Sequence, residues 1–278
     1  MHPSLLPGLL TALVPLTAAA PAIAQLPRPR SADYLTVAGV DDVRAAWVNP
    51  AGLARVLEAS IMAEVVVDRL PDATLAQYTL GMNSRGFSVS FARDRTVETA
   101  PVNMTRFGVG LPFQRGSLGV GVTLFRASAR DEGVDLGLDY RLTRALDVAA
   151  VVRHLGRPVV RGAPTPVTAL AGLQWRAVPR LLILDGELAA ADAGNGLLGD
   201  IQYRGMLRFS PPGRSRIEVL TGVELVAHQV ERVVIGVGLG TTGWVGAVGG
   251  ASRSLGLSRP DRFSLTGVKS HRALGVAR

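Results

Sequence analysis

From Leu57 to the last residues, apolar side chains recur at every second position over segments of about ten residues, and this period constrains the fold more than any other feature. In Gly116–Arg126, Leu118, Val120, Val122 and Leu124 share one face, and Gly119, Gly121, Thr123 and Phe125 share the other. Val134, Leu136, Leu138, Tyr140 and Leu142 likewise oppose Asp135, Gly137, Asp139 and Arg141, and Ile217, Val219, Thr221, Val223 and Leu225 oppose Glu218, Leu220, Gly222 and Glu224. An apolar face opposite glycine or isolated charge has the length and alternation of a strand crossing a bilayer. A soluble sandwich or barrel is the alternative, but its polar face would meet water and carry Lys, Ser and Thr rather than glycine. A mean hydropathy of +0.27 in so arginine-rich a chain also favours the membrane reading.

Turn signals divide the period-two region into strands at 57–68, 75–84, 87–94, 103–113, 116–127, 133–143, 146–155, 166–178, 180–189, 199–209, 215–227, 230–240, 243–253 and 261–269. That is about fourteen, an even number, as single-chain bacterial barrels have. Residues 233–250 could be mistaken for a membrane helix, being uncharged throughout. Seven glycines in that stretch, each costing a helix about 1 kcal/mol, and alternation from Val233 to Leu239 point instead to two strands joined near Thr241–Gly243. Connections at 85–86, 114–116 and 143–146 are tight, and those at 94–102, 156–165, 190–198 and 254–261 are longer.

Ahead of the strands, Leu5–Ala20 is apolar with Pro7 and Pro15, and Ala22-Ile23-Ala24 forms a small-x-small site before Gln25, the pattern of a cleaved secretory leader over residues 1–24. Residues 25–56 then comprise an extended spacer, Pro27–Arg30, and the stretch DDVRAAWVNPAGL. Asp41 or Asp42 is placed to cap a short helix through Trp47. Asn49 at a cap with Pro50 at the first helical position then restarts the chain in a helical turn through Gly52 and Leu53. The barrel is expected over 57–270, with a tail at 271–278.

That stretch, just after a leader and ahead of many short strands, resembles the N-terminal signature of FadL-superfamily outer-membrane barrels, through Asp41, Asp42, Ala45, Ala46, Trp47, Asn49, Pro50, Ala51, Gly52, Leu53 and Ala54. LDVAAVVRHLGRP, PVTALAGLQW, LLILDGELA and RPDRFSLTGV further resemble the PorV/PorQ-like branch. The resemblance implies an all-β, antiparallel transmembrane barrel with a short helical plug, the Asp41–Leu53 segment, inside the lumen, located in the outer membrane. It implies one of two roles. In the first, a plugged barrel binds exported proteins or envelope and secretion partners; in the second, a passive transporter carries hydrophobic or amphiphilic, fatty-acid-like solutes.

The strand register turns Glu64, Asp68, Asp135, Asp139, Asp147, Asp185, Glu187, Glu218 and Glu224 inward, with Arg106, Arg141, Arg153, Arg176, Arg204 and Arg208. Acids and arginines on neighbouring strands would pair across the lumen, either as mutual neutralisation around the plug or as a charged constriction. The net charge of +8 does not indicate nucleic acid, because the arginines are scattered and aromatics make up only 5% of the chain. It suits contact with outer-membrane lipid and lipopolysaccharide phosphates. No cysteine is present, so disulfides and thiolate metal sites are excluded. His154 falls on the outward face, His228 in a turn and His271 in the tail, and no serine–histidine–acid arrangement, phosphate loop or metal motif emerges. The sequence calls for no cofactor and points away from an enzyme.

Overall fold

The computed structural model describes residues 31–55, 59–68, 74–95, 101–126, 132–192, 201–211, 216–240, 243–257 and 260–271. The leader, the spacer through Arg30 and the tail beyond His271 lie outside the described residues.

The strands in chain order are β1 (Ala59–Asp68), β2 (Thr74–Ser84), β3 (Phe87–Asp94), β4 (Val102–Phe113), β5 (Gly116–Arg126), β6 (Glu132–Arg141), β7 (Leu146–Leu155), β8 (Val159–Val160), β9 (Ala163–Pro164), β10 (Thr168–Val178), β11 (Leu182–Ala191), β12 (Gln202–Phe209), β13 (Arg216–Val226), β14 (Gln229–Gly240), β15 (Gly243–Ser252) and β16 (Arg262–His271). All but β8 and β9 form one closed antiparallel barrel of neighbouring hairpins, a fourteen-strand sheet with no free edge. Closure is made by β1 and β16, which pair along their full length from Ala59↔His271 to Asp68↔Arg262. His271 is therefore the last residue of the closing strand, one position beyond the expected barrel limit.

The two ends of the barrel differ. One end carries the connections 85–86, 114–115, 142–145, 179–181, 210–215 and 241–242, mostly tight, together with the start of β1 and the end of β16. The other carries the longer loops, with 156–167 and 192–201 the longest, and one two-residue turn, 227–228, between β13 and β14. Arg85 and Gly86 both adopt positive φ, 49° and 85°, as a two-residue hairpin turn requires. Residues 156–165 are not a plain loop: β8 and β9 pair there as a two-stranded hairpin.

Alternation places the two faces as the sequence predicts. Ile61, Val65, Leu111, Leu118, Val120, Leu136, Ile235, Val237, Leu239, Val245 and Leu265 are exposed on the outer wall. So continuous an apolar surface is stable in hydrocarbon and not in water. The inner wall holds the expected glycines and charges and also buried Met104, Phe125, Val151, Leu170, Met206, Leu220, Val234 and Val248. These apolar side chains pack with the N-terminal segment into the barrel's core.

The outer wall generates a direct test. Leu136→Arg, in the middle of β6, is expected to destabilise the reconstituted barrel by about 2–4 kcal/mol in a chemical-denaturation titration in vesicles, the cost of a guanidinium near the bilayer midplane.

Candidate functional site: the lumen plug

Residues 31–55 fill the lumen as a folded plug. It comprises α1 (Ser31–Tyr34), a turn closed by Gly39 N–H donating to the Thr36 carbonyl at 3.0 Å, α2 (Ala45–Val48) and a 3-10 turn over Pro50–Ala54. The expected helix capped by Asp41 or Asp42 is shorter than predicted. Asp42 accepts the Arg44 amide at 2.8 Å and the Arg44 guanidinium at 2.7 Å, so the chain turns through Arg44 before helix begins. Local side-chain hydrogen bonding of this kind competes with a helix start. Asp41, by contrast, is exposed at the short-turn mouth.

Asn49 is the plug's joint. It sits in extended conformation, φ −152° and ψ 106°, as the residue before a proline prefers. Its Oδ1 accepts the Ala51 amide at 3.1 Å and caps the 3-10 turn, while its Nδ2 donates to the carbonyls of Val37 at 2.9 Å and Leu138 of β6 at 3.3 Å. One buried amide thus ties the two arms of the plug to each other and to the wall. Gly52 lies so close to the Val40 carbonyl that a Cβ would overlap it.

The wall meeting the 3-10 turn is paved with glycine. A Cβ at Gly119 would overlap the Pro50–Ala51 backbone, and one at Gly137 would overlap Asn49 Oδ1. At Gly108 it would come within 2.8 Å of Leu53 Cδ1, at Gly110 within 2.8 Å of the Ala54 nitrogen, and at Gly172 within 2.6 Å of Val37 Cγ2. Glycine here marks close approach of the plug, through backbone at Gly119 and Gly110 and through side chains at Gly137, Gly108 and Gly172, to the wall. Beside it, Ser117 Oγ donates to the Ala51 carbonyl at 2.8 Å.

Charges fasten the remaining faces. Asp147, with no side-chain exposure, accepts Arg55 of the plug together with Arg141 and Arg176 of the wall. Arg55 also reaches the Ala38 carbonyl at 2.9 Å and Asp139 at 3.3 Å. Glu187 accepts the Val37 amide at 2.8 Å and pairs with Arg204, which donates to the Leu35 carbonyl at 3.3 Å. Arg153 donates to the Val48 carbonyl. Arg106 pairs with Asp135 at 2.7 Å and stacks over Trp47, 5.5 Å from the ring centroid. Asp185 accepts Arg208 at 3.0 Å and Gln174 at 3.0 Å.

Asp33 of the plug meets Arg232 at 3.2 Å, and Arg232 approaches Glu224 at 3.9 Å. Asp68 pairs with Arg262 where the barrel closes. Glu64, 1% exposed, accepts Ser31 Oγ at 3.0 Å and Thr266 Oγ1 at 2.9 Å. The Tyr34 hydroxyl also bonds Thr266, and burial followed by the Glu64 charge pushes it up to about 12, so it remains a donor. Glu218 shares the inward face, half-buried. Every charge read as inward thus lines the lumen, with Arg141 at the short-turn rim. Ser31, Asp33, Tyr34, Arg44 and Arg55 were missed, since no periodicity marks their partners. Arg55, directly following the NPAGLA signature, was the one with a positional hint.

Trp244 lies over Gly238 and Gly246, stacked on Tyr34 with centroids 6.1 Å apart and beneath Arg44 at 4.8 Å. At the long-loop end, the β8–β9 hairpin folds over the mouth. Val160 is buried, Arg161 reaches Asp94 of β3 at 3.5 Å, and Arg157 pairs with Asp192.

The histidines are dispersed. His154 leaves the expected outward face: a bulge between Val134 and Leu136 and a φ of 60° half-bury it, with its amide donating to Asp135 at 2.9 Å. His228 occupies the β13–β14 turn beside Tyr203, centroids 6.4 Å apart. Among the described residues no group of three or more His, Cys, Asp or Glu side chains could hold a metal ion.

No protein-family model matches this sequence, and no curated protein matches it. Among solved structures, a triple mutant of the Rhodopseudomonas blastica porin aligns with 77% of this chain and 99% of its own, at a TM-score of 0.45 and 8% identity. The KdgM porin aligns over the same shares, at a TM-score of 0.42 and 14% identity.

Two substitutions separate the fastenings of the plug. Gly137→Val should drive the Asn49 joint off the wall while the barrel persists. The expected result is a red-shifted, quencher-accessible Trp47 with heat-modifiable gel mobility retained. Asp147→Ala leaves Arg55, Arg141 and Arg176 without their shared buried carboxylate, and a loss of about 3–5 kcal/mol is expected in denaturant unfolding.

Proposed function

We propose that this chain is an outer-membrane barrel of the FadL superfamily, of the PorV/PorQ-like kind, that works as a plugged scaffold. Its rim and long loops bind exported proteins or envelope partners, and its lumen carries no continuous flux. The segment Asp41–Leu53 acts as the plug, the inward charges hold it, and the outer wall sits among outer-membrane lipids with the long-loop end toward lipopolysaccharide.

One observation carries this reading: the plug is bonded to opposite walls of the lumen at once. Asn49 and Ala51 are held by β5 and β6, Val37 and Leu35 by β11 and β12, and Val43 by Ser60 of β1 at 3.1 Å. A plug that opened in normal turnover would have to break buried hydrogen bonds and ion pairs on several strands together, each interaction worth about 0.5–3 kcal/mol. The filled lumen also supports a role for surfaces over one for a pore.

The test is reconstitution of the refolded protein in liposomes and planar bilayers. The intact barrel is expected to show no steady conductance and no uptake of a fluorescent fatty acid above empty vesicles. Removal of residues 41–53 should open it to ions. Saturable fatty-acid uptake by the intact protein, lost on that deletion, would replace the scaffold with a transporter of hydrophobic solutes.

A further inference from the structure

The hairpin connections at the short-turn end carry charge of one sign, while Asp41 of the plug is exposed at the same mouth and Glu58 directly precedes β1 in the sequence. These connections, residues 85–86, 114–115, 142–145, 179–181, 210–215 and 241–242, contain Arg85, Arg115, Arg144, Arg180 and Arg214 and not one Asp or Glu. The loops of the opposite end mix arginine with Asp72, Glu98, Asp131, Asp192, Asp200 and Asp261. Arg85, Arg115, Arg144 and Arg180 are all exposed. The strand acids nearest this end, Asp139, Asp147 and Asp185, point into the lumen and are committed to Arg55, Arg141, Arg176 and Arg208.

Directly beneath these arginines runs a band of outward aromatics. Phe87 opens β3 and Phe113 ends β4, with Tyr140 near the end of β6, Trp175 near the end of β10 and Phe209 ending β12. Phe113 and Tyr140 stack across neighbouring hairpins with centroids 6.4 Å apart. Aromatic rings of this kind settle at the boundary between hydrocarbon and headgroups. Arg85 and Arg115 lie two residues from Phe87 and Phe113, and Arg144 and Arg180 lie four and five residues beyond Tyr140 and Trp175, so each guanidinium is within reach of lipid phosphates and suited to bidentate contact with them.

We infer that the arginines of the short-turn rim, Arg85, Arg115, Arg144 and Arg180, together with the aromatic band below them, form a binding collar for anionic phospholipid headgroups of the leaflet that this end faces. Two observations favour lipid over an acidic protein. The cations are distributed singly over four hairpins of this end instead of gathering in a patch, and each of those hairpins carries an outward ring on a flanking strand. The inference rests on the membrane reading of the proposed function and adds to it a lipid preference on one side.

Trp175 supplies the reporter, since it is the outward tryptophan, while Trp47 and Trp244 lie within the lumen. Arg176, next in sequence, donates to the Arg144 carbonyl, which places the Arg144 turn beside it. The refolded protein is reconstituted in vesicles of phosphatidylcholine containing brominated phosphatidylcholine or, at the same mole fraction, brominated phosphatidylglycerol. Tryptophan quenching is then compared.

The collar predicts stronger quenching by the anionic lipid. The apparent preference is about 5-fold for a single well-placed arginine, weakened by salt. Arg144→Gln/Arg180→Gln should bring the preference near 1, and Arg85→Gln, several strands away, should leave it unchanged. Retained heat-modifiable mobility establishes that each variant is folded. Equal quenching by the two lipids in the unaltered protein would overturn the collar and leave the rim to an acidic protein partner, and a preference that survives Arg144→Gln/Arg180→Gln would overturn it as well. Absence of quenching by either lipid would instead sink the membrane reading itself.

Discussion

A sheet surrounded by hydrocarbon cannot leave a backbone donor or acceptor unpaired, and everything else in this structure follows from meeting that constraint. The pairing of β1 with β16 meets it, running through ten residue pairs without a register shift. Closure fixes which residues face in, because the side-chain period is two and a one-residue slip would exchange lipid-facing Ile61 and Val65 for Glu64 and Asp68. The Asp68–Arg262 pair at the end of that seam and the Glu64–Thr266 hydrogen bond at its middle add side-chain specificity to the register.

Fixing the charges inward creates a second problem, which the plug resolves. A carboxylate enclosed without a partner costs far more than any surface charge. Asp147, Asp185, Glu187 and Asp135 each face at least one arginine, and the plug contributes backbone carbonyls and an amide that bond Arg55, Arg153, Arg204 and Glu187. The glycines on β4, β5 and β6 serve the same end by another route. They lower the wall where the 3-10 turn must come within backbone contact, so that Asn49 reaches Leu138 and Ser117 reaches Ala51.

Much of this was legible in the sequence because it is periodic. Strand positions, the even count, the inward charges and the Asn49-Pro50 restart all follow from alternation or from the chemistry of a cap. The parts that were not legible are aperiodic and depend on long-range contact. No local pattern announces that Tyr34 will stack on Trp244 or that Ser31 will reach Glu64. The helix at Asp42 was misjudged because the side chain chose the Arg44 amide and guanidinium two residues on, a competition that spacing alone does not decide. The β8–β9 hairpin was invisible for a different reason: two-residue strands are too short to display a period.

Barrel size explains why the plug belongs to the fold itself. About eight strands enclose an interior that side chains fill unaided, whereas sixteen or more leave an aqueous channel. Fourteen strands fall between these limits, too wide for inward side chains to meet across the middle. Small inward residues make the gap wider: Gly108, Gly110, Gly119, Gly137 and Gly172 remove the very side chains that would narrow it. A wall shaped in this way is complementary to a polypeptide, and the polypeptide present buries Tyr34, Val37, Val43, Trp47, Val48 and Leu53 against Met62, Leu170, Leu220, Val248 and Val268. Burying each such side chain contributes about 1.5–3 kcal/mol. The plug is thus the hydrophobic core that a barrel of this circumference lacks.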